Sequence, residues 1–385
     1  MFDPDELPQL RKSIAERAAK DGKLLDQLRE EIRPLKADLR AIKPRSTTAT
    51  SLMASDGGNN KIAFDPFYIQ LIRVVDSYGK QLFFDTVSPT TDTDEISAKQ
   101  FDSEGAPITA LGRMMRDLNA RTLNELSHMV PSGEACRTTP EKVSPSWVLV
   151  YRDLCEWAVL YDRICYDSFA TDTLIVRDGQ LRSKLFRGER FIEWRLRVES
   201  AIEQIKTKDK RHVFLVGVAK HSKVLSRYQL AIAIEDVMVA GEPRYLPIPR
   251  SLEMKAYVWP EYARGEEDAD AGGEAPKFVA GKMFLVRFGN RSGDPIWAVD
   301  LLESQQGAAS EIFGYLLADA IDGFPVPLYP RCLQKAHEHA ALVEFDMDLL
   351  QEEIFRSVRT MLPDTKRDIL DEFRLSPDVA GRRYE

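Results

Sequence analysis

The amino-acid sequence predicts an α/β fold: a mixed sheet flanked by helices, with a long helix in front of it and a helical extension behind. Three observations predict it. Apolar, β-branched runs of strand length, Thr173 to Arg177 and Val213 to Val218, alternate with amphipathic helical segments. The opening segment repeats its apolar residues at three- and four-residue spacing, as a helix requires. Two candidate strands run into Asp-Gly, at Asp56-Gly57-Gly58 and Asp178-Gly179, and strand ends are where α/β enzymes commonly place working carboxylates.

A chain of 385 residues can bury a large core, as two domains or one elaborated domain. Its 44% hydrophobic and 30% charged content is that of an ordinary soluble protein. A net charge of -8 argues against a wholly basic nucleic-acid coat, but phosphate binding depends on a local surface rather than on the sum. No apolar run approaches the roughly 20 residues that span a bilayer, and the acidic start MFDPDELPQL lacks a secretory pattern. Cys136, Cys155, Cys165 and Cys332 are scattered, so neither a zinc knuckle nor a disulfide framework is expected, and a cytoplasmic location with reduced thiols follows.

Leu7 to Ile42 reads as a long amphipathic helix or a helical hairpin, broken near Asp21-Gly22 and Pro34. Either it packs on its own domain or it serves self-association or docking. Residues 1–45 therefore form one unit, 50–345 the main domain and 346–385 a helical tail. Ala63 to Asp76 and Gln81 to Val87 read as strands, with loops at Ser88 to Phe101 and Ser132 to Ser146 around a helical stretch, Ile108 to Met129. Trp147 to Ser168 is a strong helix, with Val150, Leu154, Trp157, Ala158, Tyr161 and Ile164 on one face. Helices are expected at Glu189 to Lys206, Leu230 to Val239, Glu311 to Ile321, Leu333 to Leu350 and Met361 to Phe373. Further strands are expected at Ser251 to Tyr257, Lys282 to Phe288 and Ile296 to Leu301. The acidic, Gly-rich stretch 263–276 reads as a mobile surface loop, without the ligand spacing of a calcium loop.

The sequence contains no P-loop, no H-E-x-x-H and no G-x-S-x-G. A set of carboxylates remains. Asp56 and Asp178 each read as a turn residue or a metal ligand. Glu156, inside the helix beside Leu154 and Trp157, is either a third ligand or the i,i+4 partner of Arg152. Lys220, just past the VFLVGVA strand, is a surface lysine or a partner of phosphate charge. His337 and His339 are two apart on a helix, so at most one reaches a shared site. Arg177, Arg182, Lys223 and Tyr329 are candidates to face substrate. Hard oxygen donors without a thiolate cluster suit manganese or magnesium, and such ions can drive phosphodiester hydrolysis.

The motifs ASDGG, DLCEW with LIVRDGQL, VGVAKHSK and GFPVPLYPRCLQKAHEHA, in that order, resemble those of the NurA nuclease family over roughly Leu52 to Glu344. The resemblance implies an RNase H-like core and a homodimer. It implies manganese-dependent (or magnesium-dependent) exo- or endonuclease activity on DNA, with a hexameric HerA-type ATPase translocase, in end processing or anti-phage defence. Asp56, Glu156, Asp178 and His337 are then metal ligands, and Lys220 meets the phosphate. Tyr329 or Phe324 would fill the family's tyrosine position, and His339 is the alternative to His337. A DNA-clamping adaptor without catalysis and an RNase H-like enzyme acting on RNA or a hybrid are the rival readings.

Overall fold

Apolar runs without polar alternation become strands that are covered on both faces. The clearest is Val213–Ala219, buried along its whole length. Val213 and Leu215 enter one core, and Phe214, Val216 and Val218 enter the opposite one. The protein is seen here as a computed structural model that describes residues 6–46, 50–64, 67–257, 277–341 and 344–368.

The strands are β1 (Arg40–Ala41), β2 (Thr50–Phe64), β3 (Phe67–Asp76), β4 (Gln81–Val87), β5 (Asp172–Asp178), β6 (Val213–Ala219), β7 (Arg244–Pro247), β8 (Gly281–Arg287) and β9 (Trp297–Leu302). They form one mixed sheet in the order β1-β7-β8-β9-β6-β5-β2-β3-β4. β2, β3 and β4 make an antiparallel meander. β5 then joins β2 in parallel, and β6 joins β5 in parallel. Parallel neighbours need a crossover, and a long helix separates β5 from β6.

The helices are α1 (Leu7–Ile32), α2 (Thr93–Ala98), α3 (Ala110–Asp117), α4 (Leu123–Leu126), α5 (Gly133–Thr138), α6 (Trp147–Tyr166), α7 (Arg190–Lys208), α8 (Lys223–Ile234), α9 (Arg250–Ala256), α10 (Ala309–Ala320), α11 (Arg331–Ala340) and α12 (Glu344–Met361). The apolar stripe of α6 and the aromatic residues of α7 pack on one face of the sheet, where Trp157 meets Trp194 at 4.8 Å and Phe191 at 5.3 Å between ring centroids. α10 and α11 cover the other face above Leu174, Val176 and Val216. The end of α1 joins α8 and α9 in a third core.

Several sequence expectations need correction. Asp56 does not end a strand; β2 continues eight residues beyond it, because β3 takes over its backbone hydrogen bonds. Ser251 to Tyr257 is the helix α9 with its C-cap rather than a strand, and β8 pairs instead with β7 and β9. The Ile108 to Met129 stretch breaks into α3 and α4 around Asn119, which adopts a positive φ. Both expected polar loops contain short capped helices, α2 and α5. α8 starts at Lys223, capped by Ser222. Leu333 to Leu350 spans parts of α11 and α12, not one helix. α1 is unbroken across Gly22, since helix formers on both sides outweigh the roughly 1 kcal/mol cost of one glycine. The 263–276 loop lies outside the described residues, as does the end of the Met361 to Phe373 segment, where a 3-10 turn follows Met361 instead of a continued helix. Among the described residues no helix is long and apolar enough to cross a membrane.

Candidate active site

The site grows out of the register between β2 and β5. Ser55 is paired with Arg177, so the next residue on each strand is an acid, Asp56 and Asp178. Their side chains share the sheet face of Ala54 and Val176, which α10 and α11 cover. At this point β5 ends. Gly179, at a φ of 108°, turns the chain away as a residue with a side chain would resist doing.

Each of these carboxylates is held from a different element. Asp178 lies opposite Val218 of β6, and Lys220, two residues on, places Nζ 2.8 Å from Asp178 Oδ2. The Tyr329 hydroxyl donates to Asp178 Oδ1 at 3.2 Å, and its ring centroid lies 5.3 Å from Lys220 Nζ. Tyr329 is fully buried against Trp297, and burial followed by the nearby Asp178 charge pushes its phenol well above the usual range. It donates a hydrogen bond to the carboxylate and keeps its proton. Asp56 accepts from the Gly57 backbone N–H at 2.9 Å, and its Oδ2 lies 2.6 Å from His337 Nδ1.

Glu156 arrives from the other face of the sheet, on α6. Its carboxylate lies against Gly57, where an added Cβ would collide with Oε1 and the side-chain carbons behind it. The glycine that looks like a turn signal is thus a mid-strand opening that admits a carboxylate. Arg152 Nε is 3.4 Å from Glu156 Oε1, the i,i+4 contact expected from the sequence, and the same guanidinium is 2.8 Å from Asp153. With only 15% of its side chain exposed, Glu156 is pushed up to about 8, first by burial, then by Asp153. Arg177 and Arg152 oppose the rise, and Asp56 adds to it.

Asp178 is thus joined to Lys220 and Asp56 to His337, while Glu156 comes to Gly57 from the opposite side of the sheet. Among the described residues, however, no three His, Cys, Asp or Glu side chains are gathered closely enough to form a ready-made metal cage. The donor set still fits a hard divalent cation. It offers oxygen atoms with one imidazole, a glycine opening keeps Glu156 at the sheet, and a bound cation would favour the charged Glu156 that burial and Asp153 oppose.

The two histidine alternatives separate. His337 faces Asp56, while His339 lies beside Gly79 and accepts from Arg73 through its carbonyl. Tyr329 meets Asp178, whereas Phe324 is 82% exposed. Three residues expected at substrate are placed elsewhere. Arg182 is buried in ion pairs with Asp300 at 2.9 Å and Glu253 at 2.6 Å, so it cannot reach a ligand. Arg177 lies 4.2 Å over the Trp157 ring and donates to the carbonyls of Asp178 and Gln180, clamping the turn after β5. Tyr329 is enclosed and acts on Asp178 rather than on substrate. Lys223 is exposed at the start of α8, three residues past Lys220. Sequence reasoning missed Asp153, although its i,i+3 spacing to Glu156 was visible.

No protein-family model and no curated protein matches the sequence. Among solved structures the chain is similar to the crystal structure of the NurA nuclease from Sulfolobus solfataricus, with a TM-score of 0.41 and 13% identity over 92% of this chain and 98% of that one. It is also similar to a crystal structure of NurA with manganese, at a TM-score of 0.36 and 13% identity over 94% and 99% of the two chains. A structure of NurA bound to dAMP and manganese gives 0.34 and 13% over 89% and 94%.

Proposed function

We propose that this chain is a metal-dependent nuclease that hydrolyses DNA phosphodiester bonds. One observation carries the reading: Asp56 and Asp178 follow a paired register on neighbouring parallel strands, and the Glu156 carboxylate lies against Gly57, the residue after Asp56. The meander β2-β3-β4 followed by parallel β5 and β6 supports an RNase H-like core. Asp56, Glu156, Asp178 and His337 would hold manganese or magnesium. When bound, such an ion lowers the pKa of an attacking water and stabilises the leaving oxygen.

The chain's own groups have distinct tasks. Lys220 carries a cation on the carboxylate edge, where it would offset charge building on the phosphorus. Tyr329 fixes one oxygen of Asp178 and leaves the other to Lys220. His337 holds the outer oxygen of Asp56 and is two-thirds exposed, so it stands at the solvent side from which a strand would approach. A homodimer and a HerA-type ATPase remain part of the proposal through the sequence resemblance, and the exposed Leu10, Ile14 and Leu24 of α1 offer an apolar stripe for such contacts.

The test is cleavage of labelled single- and double-stranded DNA with manganese, with Asp178→Asn as control and matched RNA as competitor. DNA cleavage that is lost in the variant supports the reading. Preference for RNA overturns the substrate assignment. Absence of cleavage with any divalent ion, alone or beside a translocase, leaves the DNA-clamping adaptor.

A further inference from the structure

We propose a second phosphate-binding subsite on α11, built by Arg331 and Lys335, that holds the DNA backbone beside the cleavage site. The identity of the strand rests on the nuclease reading above. Arg331 and Lys335 are four apart on one helix, so they share a face. Both are exposed, and neither has an ion pair among the described residues. They line a polar cleft of about 260 Å³ together with Thr50, Ser51, Tyr78 and Asp319. The Asp319 carboxylate is already engaged, accepting the Cys332 backbone N–H at the first turn of α11. The cleft thus carries two cations without an ion pair against one carboxylate, a net positive lining that favours an anion.

Position identifies that anion. Thr50, Leu52 and Asp56 alternate onto the same face of β2, and α11 lies across it. From Leu52 to Asp56 is roughly 13 Å at strand rise. Along α11, Lys335 and Arg331 precede His337 by roughly 3 and 9 Å. Lys335 and Arg331 point away from the His337 face, so a strand whose scissile phosphate sits between Asp56 and Asp178 reaches them by passing round α11 within a few nucleotides. Lys220 and Lys223 stand at the opposite end of the same track. In a chain of net charge -8, Arg331, Lys335 and Lys223, with Lys220 beside Asp178, mark where polyanion contact would be concentrated.

The experiment measures single-stranded DNA binding by fluorescence anisotropy over a salt series, in a full-length Asp178→Asn host. Adding Arg331→Gln with Lys335→Gln is expected to weaken binding about tenfold. It should also flatten the log-affinity against log-salt slope by about 1.4, two contacts at about 0.7 each. The charge-keeping pair Arg331→Lys with Lys335→Arg should restore most of both. In the cleaving protein, the Gln pair should raise KM more than it lowers kcat. An unchanged slope and affinity overturn the subsite, and so does equal weakening by the charge-keeping pair. If the wild type cuts no nucleic acid, the nuclease reading falls, while the anisotropy series still decides the subsite.

Discussion

Glu156→Gln should stabilise the metal-free protein while removing its activity, and the size of the gain can be worked from the site. The carboxyl is raised from an ordinary 4.5 to about 8 because burial and Asp153 oppose its charge. An acid held above its unfolded value favours the native state while it keeps its proton. Stability is therefore greatest below about pH 4.5, falls as pH rises through the window from 4.5 to 8, and stays low above it. At about 1.36 kcal/mol per unit, the full penalty at pH 9 is about 5 kcal/mol, and residual solvent contact reduces it to a few. Glutamine keeps the shape without the charge, so the variant should gain roughly 2–5 kcal/mol at pH 9 and under about 1 kcal/mol at pH 5. Urea unfolding at the two pH values, in chelator, reads this difference directly. Manganese should then raise the wild-type midpoint and leave the variant nearly unmoved, because a ligand that binds only the folded state stabilises in proportion to its occupancy. A gain over wild type that is the same at pH 5 and pH 9, or a variant weaker than wild type at pH 9, would refute the strained-carboxylate argument.

Three further substitutions probe separate parts of the reasoning. Gly57→Ala places a methyl group against the Glu156 carboxylate, so it should cost about 1–3 kcal/mol of stability. Moving that carboxylate by about 1 Å should lower cleavage about 100-fold; retained cleavage would show that Glu156 need not lie there. Tyr329→Phe removes the bond to Asp178 with little change in packing. It should cost about 1.5–3 kcal/mol in thermal unfolding, lower kcat and leave KM close to wild type. Arg182→Met leaves Asp300 and Glu253 buried without their cation, and a loss of about 3–5 kcal/mol is expected in denaturant unfolding. The DNA salt slope of its folded fraction should be unchanged, since Arg182 lies inside the protein.

What the sequence revealed, it revealed where the chemistry is local. β5 and β6 are apolar runs bounded by polar residues, and α6 declares its buried stripe, so three of the elements carrying Glu156, Asp178 and Lys220 were legible. The length of β2 was not, because Asp56-Gly57-Gly58 and the polar residues after it look like a turn. They are strand only because β3 supplies backbone partners from Ser55 to Phe64. The segment from Arg250 to Ala256 fits a strand pattern equally well, and helix wins because Glu253 must meet both Arg250 and Arg182. Arg182 was misjudged for the same reason: its partner Asp300 is 118 residues away, and no local pattern distinguishes an arginine bound for the core from one bound for a ligand.

The same contrast explains how an acidic chain can be read as a nuclease at all. Net charge governs long-range encounter, whereas a phosphate at the site responds to the groups within a Debye length, roughly 8–10 Å at physiological salt. The basic residues buried in ion pairs, Arg182 and Arg250 above all, add to the sum but not to the surface. Lys220 and Lys223 at the end of β6, with Lys335 and Arg331 on α11, do the opposite. They flank carboxylates that would repel a backbone approaching from any other direction. Binding to such a surface should be steered along one line and should weaken steeply with salt. Every phosphate contact carries that salt dependence, so what locates the strand is which of the four cations lowers the slope when it is removed. The measured salt slope, set against the position of these four cations, therefore tests the direction of the strand as well as its presence.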